Sequence, residues 1–243
     1  MITKSRLGPL VIPSLEKKVL HRQISDLRFR ELKIRRQSQE TILVQKKMIK
    51  NIILDVNDVL VSRDILHTNK VLADKYNLPF FMPGQRQDFE DMKAGEITLE
   101  EFLKRTSKKH GGSPKEILEI IINQVVADAV LHKNLIKYIK SLDSSFGVAI
   151  LSHSNPIRNE ADKRVGLMDI TSNMFFLIGK SYTKTETGAF EYLLKEMKWK
   201  AEECVFIDDK EKHLIVARSL GIKTILATSE DKTLKELKAV LNT

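Results

Sequence analysis

Short apolar runs alternate with helical patterns along the chain from residue 51 onward. Five runs are almost continuously apolar, as buried parallel strands are: residues 52–56, 148–151, 174–178, 205–207 and 224–226. Helical periodicity follows in four segments: residues 156–165, 186–197, 212–220 and 232–241. This alternation predicts a doubly wound α/β fold with a parallel sheet at its centre.

The segment between the first two predicted strands, residues 64–146, has helical patterns and no strand signal. Two capping boxes predict helix starts within it, Thr98 with Glu101 and Ser113 with Glu116. We therefore expect an all-helical insertion, a cap, in an α/β core. The core would consist of residues 51–63 and 147–243.

Residues 80–82 of this predicted cap are apolar, and they bear on substrate choice. Phe80, Phe81 and Met82 either line an apolar wall of a substrate pocket or fill the helical interior of the cap. The second role is the commoner one for such residues. The substrate itself is not named by the sequence.

The excess of basic residues is confined to residues 1–50. The chain has a net charge of +9, and this segment holds thirteen Lys and Arg against four acidic residues, while the rest of the chain has 28 of each sign. Its apolar residues recur at three- to four-residue steps, which predicts an amphipathic basic helix or a partly disordered extension. A solvated helix is the simpler interpretation, and an arm that binds nucleic acid or an acidic partner is the alternative.

The sequence contains no apolar run of the roughly twenty residues that a membrane helix needs, and its amino terminus does not resemble a signal peptide. A single cysteine, Cys204, lies between apolar residues and cannot form an internal disulfide. We therefore expect a soluble, cytoplasmic protein without membrane contact, in which Cys204 is a buried, inert thiol.

Polar side chains stand where the predicted strands end. In an open parallel sheet ligands bind beyond the carboxyl ends of the strands, so these residues are expected to share one site. The set comprises three acids, a hydroxyl and an ammonium: Asp55, Asp208, Asp209, Ser152 and Lys184. Such a set suits a phosphate group and a divalent cation, because carboxylates bind magnesium and can also attack phosphorus.

Four segments in this order resemble the motifs of the haloacid dehalogenase superfamily, whose members are mostly magnesium-dependent phosphohydrolases. The segments are "IILDVNDVLV", "VAILSHSNP", "SYTKTETGAFEYLLKEM" and "EECVFIDDKEKHLIVARSLGIKTIL". Together they extend from residue 51 to about residue 228, and the helical insertion resembles the small cap that some members carry after the first motif.

The resemblance implies a role for each strand-end residue. Asp55 would be the nucleophile, while Ser152 and Lys184 would bind and stabilise the phosphoryl group. Magnesium would be held by Asp55, by the backbone carbonyl of Asn57 and by the acidic pair. In that pair Asp209 is favoured as the direct ligand and Asp208 as its support, although the two roles are interchangeable on the sequence alone.

The chain departs from the family pattern at Asn57. The resemblance places there a second aspartate, which protonates the leaving group and then deprotonates the attacking water. An amide does not titrate near neutral pH, so it orients a water but exchanges no proton with it. The neighbouring Asp58 is not expected to replace it, since one step along an extended chain turns the side chain away. A tight turn after Asp55 would weaken this objection.

Two smaller departures follow the second and third motifs. His153 stands beside Ser152 where the family often has Asn, and it is a candidate for phosphate contact. A loop-edge side chain that touches nothing catalytic is the preferred interpretation of His153. Residues 185–187 read Thr-Glu-Thr after Lys184, in place of the family's frequent Pro-Asp-Pro.

The sequence is compatible with three functions. The first is a magnesium-dependent phosphatase of small phosphorylated metabolites that acts through an aspartyl-phosphate on Asp55, with altered proton transfer. The second is a catalytically impaired protein of the same fold that binds a phosphorylated ligand or a partner. A metal-free dehalogenase ranks last, because the retained Asp208 and Asp209 favour a cation.

Overall fold

The computed structural model describes residues 48–79 and 86–241. Its largest sheet has five parallel strands in the order β5-β4-β1-β6-β7. These strands are β1 (Asn51–Leu54), β4 (Gly147–Ser152), β5 (Met174–Phe176), β6 (Cys204–Asp208) and β7 (Lys223–Leu226). All five predicted strands are confirmed, with ends that differ by two residues at most.

The side chains of β1 alternate between the two faces of the sheet, as a pleated strand requires. Ile52 and Leu54 belong to one buried apolar cluster, whereas Ile53 belongs to another. Helices α5 (Lys133–Ser141) and α9 (Glu230–Leu241) complete the first cluster. Helices α7 (Thr187–Met197) and α8 (Glu211–Ser219) complete the second. The sheet is therefore covered on both faces, and the predicted doubly wound α/β architecture is confirmed.

Four helices precede these in the chain and form the insertion: α1 (Ile65–Tyr76), α2 (Gln87–Ala94), α3 (Leu99–His110) and α4 (Pro114–Ala127). They enclose a third apolar cluster in which Phe102 and Ile121 are fully buried. Ile157 and Ala161 of helix α6 (Pro156–Arg164) also belong to this cluster, so the insertion packs on the core through α6. Phe80, Phe81 and Met82 lie outside the described residues.

Of the two predicted capping boxes, one forms completely. The Ser113 hydroxyl accepts a hydrogen bond from the backbone N–H of Glu116, whose carboxylate accepts one from the backbone N–H of Ser113. Thr98 makes the first of these bonds, to the N–H of Glu101, but the Glu101 carboxylate pairs with Arg105 instead. A cation one turn further along the helix competes for the acid, so the Thr98 box is half formed.

A two-stranded antiparallel ribbon carries the chain into and out of the insertion. It joins β2 (Val61–Arg63) to β3 (Ala129–Leu131), two strands too short to give a sequence signal. After the ribbon, Leu135 and Ile139 of α5 are buried in the apolar cluster of the sheet. We therefore propose that the cap comprises residues 64–128 and that residues 129–146 belong to the core.

The expected basic helix within residues 1–50 lies almost wholly outside the described residues, which begin at Met48. Lys50 pairs with Glu203 at the surface, and Ile49 is buried against the sheet. Among the described helices, none combines the length and the apolar character needed to cross a bilayer.

Candidate active site

The predicted site residues meet at the carboxyl edge of the five-stranded sheet. Asp55 directly follows β1, Ser152 ends β4 and Asp208 ends β6. Asp55 is 3% exposed, and the other two are fully buried. Because the strands are parallel, their carboxyl ends lie side by side, and the central position of β1 puts Asp55 between the other two.

Lys184 lies in the segment between β5 and α7 and joins two of these acids. Its Nζ is 2.9 Å from Oδ2 of Asp55 and 2.7 Å from Oδ2 of Asp208. The lysine is 1% exposed, so all three charges are withdrawn from water. Buried charges are tolerated when they are paired, and one ammonium here compensates two carboxylates.

The second oxygen of Asp208 is also occupied. Its Oδ1 accepts a hydrogen bond of 2.8 Å from the backbone N–H of Lys210 and lies 2.9 Å from Nδ1 of His213. Burial alone would raise the pKa of Asp208, but the His213 hydrogen bond and the Lys184 charge outweigh it and lower that pKa to about 2. Both oxygens of the Asp208 carboxylate therefore have partners.

Asp209 differs from its neighbour. Its Oδ1 is buried and has no hydrogen-bond partner among the described residues. Burial raises the pKa of this carboxyl group, as do the charges of Asp208 and Asp55. One carboxylate oxygen from each of Asp55, Asp208 and Asp209 falls within 4.8 Å of the others. Three clustered acids and one buried oxygen without a partner fit a divalent cation that prefers oxygen ligands.

The chain turns sharply after Asp55. The backbone N–H of Asp58 donates to the carbonyl of Val61, and Asp58 itself has φ of +56°, in the left-handed region. A tight turn, the alternative left open by the sequence, is therefore found at Asp58, and the objection based on an extended chain does not apply to this residue. Asn57 is partly buried, and within the described residues its side-chain amide makes no hydrogen bond. The charge of Asp58 acts on Asp209 and on Arg158.

Ser152 and His153 lie next to each other but in different environments. The Ser152 hydroxyl is buried and lacks a hydrogen-bond partner among the described residues. His153 is exposed, and its Nε2 is 3.4 Å from the backbone nitrogen of Lys184. The surrounding protein and the Lys184 charge lower the pKa of His153 to about 4, so the ring is neutral at pH 7. The contact of His153 with Lys184 is to the backbone only, so the interpretation of His153 as a side chain without a catalytic contact stays a prediction.

Sequence reasoning missed three side chains near this edge. His213 lies in the first turn of α8, five residues after Asp208, and that spacing was an available signal. Arg63 of β2 pairs with Asp162 of α6 at 2.5 Å, and both side chains are almost fully buried. No spacing rule predicts this contact, because it joins the ribbon to a helix 99 residues away in sequence.

Cys204, by contrast, takes no part in the site. It is buried at the start of β6, at the opposite end of the strand from Asp208, and burial raises the pKa of its thiol to about 12. A thiol in this state is a poor nucleophile, which agrees with the expected inert role.

A cleft lies between the insertion and the core, next to His153. It has a volume of about 170 Å³ and is lined from the insertion by α1, α2 and α4 and from the core by the segment that leads into α6. Asn155 caps α6 by accepting a hydrogen bond of 3.0 Å from the backbone N–H of Arg158. The loop after Ser152 thereby supplies residues to both the strand edge and the cleft.

Comparison with known proteins supports the fold. No family model matches the chain. It is 23% identical over 211 residues to the D-ribitol-5-phosphate phosphatase of Bacteroides thetaiotaomicron, an alignment of 80% of this chain and 100% of that protein. It is 27% identical over 196 residues to bifunctional epoxide hydrolase 2 of Rattus norvegicus, over 73% of this chain and 35% of that protein.

A solved structure gives the same picture. The magnesium complex of a haloacid dehalogenase family enzyme from Bacteroides thetaiotaomicron superposes with a TM-score of 0.63 at 22% identity, over 75% of this chain and 96% of that one. The chain therefore has the haloacid dehalogenase fold, and the resemblance drawn from its four motifs is confirmed at that level. It spans about a third of the length of the epoxide hydrolase.

Proposed function

We propose that this chain is a magnesium-dependent phosphohydrolase of small phosphorylated compounds that acts through an aspartyl-phosphate on Asp55. The observation that carries the proposal is the cluster of Asp55, Lys184, Asp208 and Asp209 at one buried edge. An attacking carboxylate and a phosphate are both anions, so catalysis requires positive charge at the point where they meet. This edge holds a buried ammonium and a set of acids that fits a divalent cation.

Each residue has a role in that chemistry. The Asp55 carboxylate, oriented by Lys184 and by a 2.8 Å hydrogen bond from the backbone N–H of Val56, attacks phosphorus and displaces the leaving oxygen. Lys184 donates to a phosphoryl oxygen, and the Ser152 hydroxyl, which has no other described partner, donates to a second. Water then attacks the acyl-phosphate and restores the carboxylate.

A bound magnesium ion would neutralise charge on the phosphoryl oxygens as they approach Asp55. Asp209 is proposed as its direct ligand, together with Asp55 and the carbonyl oxygen of Asn57. Asp208 is proposed as a support, because its two oxygens are already bound to Lys184, His213 and the Lys210 amide. A bound cation would neutralise the excess of negative charge at Asp209.

The proton-transfer step is the one that Asn57 alters. An amide at this position neither protonates a leaving alkoxide nor activates water. We infer that the protein hydrolyses best those esters whose leaving group departs without protonation, such as aryl or acyl phosphates. Alkyl phosphates are expected to react slowly.

The relatives support this function at the level of chemistry. One is a phosphatase of a sugar-alcohol phosphate, and its species also provides family structures with magnesium and with magnesium plus inorganic phosphate. These properties belong to those proteins. They make a phosphate ester and a magnesium ion the first ligands to test here.

The test is a phosphate-release screen with magnesium or EDTA on the wild type, Asn57→Asp and Asp55→Asn. We expect slow magnesium-dependent release by the wild type and none by Asp55→Asn, which lacks the nucleophile. Asn57→Asp should raise the rate on alkyl phosphates by about a hundred- to ten-thousand-fold, the usual contribution of a positioned acid or base. Absence of phosphate release from both the wild type and Asn57→Asp, over a broad panel of esters, would refute the proposal.

A second candidate function is binding without turnover, and Asn57 is the observation that favours it. In that case magnesium with a phosphate mimic such as vanadate raises the melting temperature while no phosphate is released. Deletion of residues 1–47 should then abolish capture of a partner and leave ligand binding intact. Capture that survives the deletion would exclude the basic segment as the contact arm.

A further inference from the structure

The cleft beside the candidate active site is strongly basic. Its described lining includes three cationic side chains, Arg86 and Lys93 from the insertion and Arg158 from α6, and no acidic side chain. His153 adds a ring that is neutral at pH 7. The remaining lining consists of amides, a hydroxyl and apolar groups. The overall composition does not explain the positive charge of the cleft, since residues 51–243 carry equal numbers of basic and acidic side chains.

Among the cations in the described lining of the cleft, Arg158 has no direct partner. It is partly buried, no described residue forms an ion pair or a side-chain hydrogen bond with its guanidinium, and the first turn of α6 contains no acid. Burial and the nearby positive charge of Arg63 both lower the pKa of Arg158. The carboxylate of Asp162 on the same helix raises the pKa of Arg158, but its Oδ1 pairs with Arg63, and its Oδ2 has no hydrogen-bond partner among the described residues. An anion that enters the cleft would supply the missing partner.

The two cations on the insertion share one carboxylate. Glu90 contacts Arg86 and lies 2.8 Å from Nζ of Lys93, so this group of three has one positive charge in excess. Both cations belong to the opposite wall of the cleft from Arg158. A small anion between the walls would therefore meet positive charge from two sides.

The cleft is also connected to the strand edge by the chain itself. Ser152 ends β4, and His153, Asn155 and Arg158, which follow it within six residues, line the cleft. We expect the organic portion of a phosphate ester bound at Asp55 to lie on the side of the cleft, because His153, which follows Ser152 in the chain, lines it. With about 170 Å³, the cleft falls below the roughly 300–1,000 Å³ of pockets for drug-sized ligands, so it suits a short leaving group.

We propose that the compound bound here carries a second anionic group, a carboxylate or a further phosphate, on the portion that leaves Asp55, and that Arg158 and Lys93 bind it. This inference rests on the proposed function for the position of the first phosphate. It departs from the relative described above, which is named for the phosphate of an uncharged polyol. Arginine suits the role because its planar guanidinium forms two parallel hydrogen bonds with a carboxylate or phosphate.

The test compares two esters of equal size, 3-phosphoglycerate and glycerol 3-phosphate, which differ in a carboxylate against a hydroxymethyl group. Their dissociation constants are measured by calorimetry with magnesium, on Asp55→Asn protein, which binds but does not turn over. We expect 3-phosphoglycerate to bind at least about tenfold more tightly, the size of one charge-assisted hydrogen bond.

Three further substitutions in the Asp55→Asn protein identify the side chains that cause the preference for 3-phosphoglycerate. Arg158→Gln is expected to reduce it to about threefold or less, and Lys93→Gln to reduce it partially. Lys163→Gln is the matched control, because Lys163 is an exposed cation of the same helix that does not line the cleft, and the preference should survive it. Melting curves establish that each variant is folded.

Equal binding of the two esters overturns the inference, and so does failure of both to bind at millimolar concentration. A preference that persists in Arg158→Gln overturns the assignment to this side chain. Phosphate release by the wild type is recorded separately. A preference for 3-phosphoglycerate, together with no phosphate release from a broad panel of esters by either the wild type or Asn57→Asp, would refute the hydrolase and leave the anion site standing.

Discussion

The two parts of the candidate site treat charge in opposite ways. At the strand edge Lys184 sits between Asp55 and Asp208, and both oxygens of Asp208 have partners. In the cleft Arg158 has no direct partner within the described part of the chain, and two cations share Glu90. Removal of one partner from a buried ion pair is strongly destabilising, whereas a charge that already lacks a partner has a desolvation cost that a bound ligand relieves. The charges at the strand edge are therefore paired before substrate binds, whereas Arg158 in the cleft gains a partner only from the bound substrate.

The largest effect should come from removing the shared cation of the edge. Lys184→Met leaves Asp55 and Asp208 facing each other in a buried position. The free energy of unfolding should fall by about 3–5 kcal/mol, as for other broken buried pairs. Urea denaturation in EDTA measures it.

Arg158→Gln is the matched substitution in the cleft, and it should change the free energy of unfolding by less than about 1 kcal/mol. Equal losses in the two variants would contradict the contrast between edge and cleft. Magnesium should restore part of the stability at the edge by binding the folded state alone.

Acid should weaken the edge in a defined pH range. The pKa of Asp208 is about 2 in the folded protein and near 3.8 when unperturbed, so its contribution is complete above pH 4 and disappears as the pH falls through 2. The loss is on the order of 2 kcal/mol, and Asp209, whose pKa is raised, opposes it.

Denaturation from pH 5 to pH 2 measures this slope, with Asp208→Asn as the comparison. The variant should show a shallower dependence on pH than the wild type even though its absolute stability is lower. Identical slopes would mean that the acid sensitivity originates elsewhere in the protein.

The smallest effect should follow Glu90→Gln in the cleft. Glu90 is partly exposed, so loss of its ion pairs should change stability by less than about 1 kcal/mol. Its removal leaves Arg86 and Lys93 without their shared acid, and binding of 3-phosphoglycerate to Asp55→Asn protein should tighten slightly. Weaker binding in calorimetry would show that Glu90 positions these cations and that its charge is secondary.

The sequence predicted the edge well and the cleft poorly, for a physical reason. Parallel strands bring their carboxyl ends together, so Asp55, Ser152 and Asp208 could be grouped from apolar runs alone. Arg158 could not be placed, because its position depends on how α6 packs against the insertion. That packing rests on Ile157 and Ala161, which read simply as apolar helix positions.

Local patterns had similar limits. The box at Ser113 formed because nothing competed for Glu116, whereas Arg105 drew Glu101 away from Thr98. The ribbon strands were missed because three residues are too few for a periodic signal. The turn at Asp58 remained an alternative to an extended chain, because the sequence does not show where the extended geometry of the first strand ends.

The ribbon of β2 and β3 has a consequence for how such a protein can be rebuilt. Arg63 lies opposite Ala129, so the chain leaves the core and returns to it at adjacent points. The length and the structure of the segment inserted between β2 and β3 should therefore have little effect on the five-stranded sheet, because closing a longer loop costs little more free energy than closing a short one. Exchange of the insertion is constrained instead by the apolar face of α6 and by the buried pair of Arg63 with Asp162, which any replacement would have to cover.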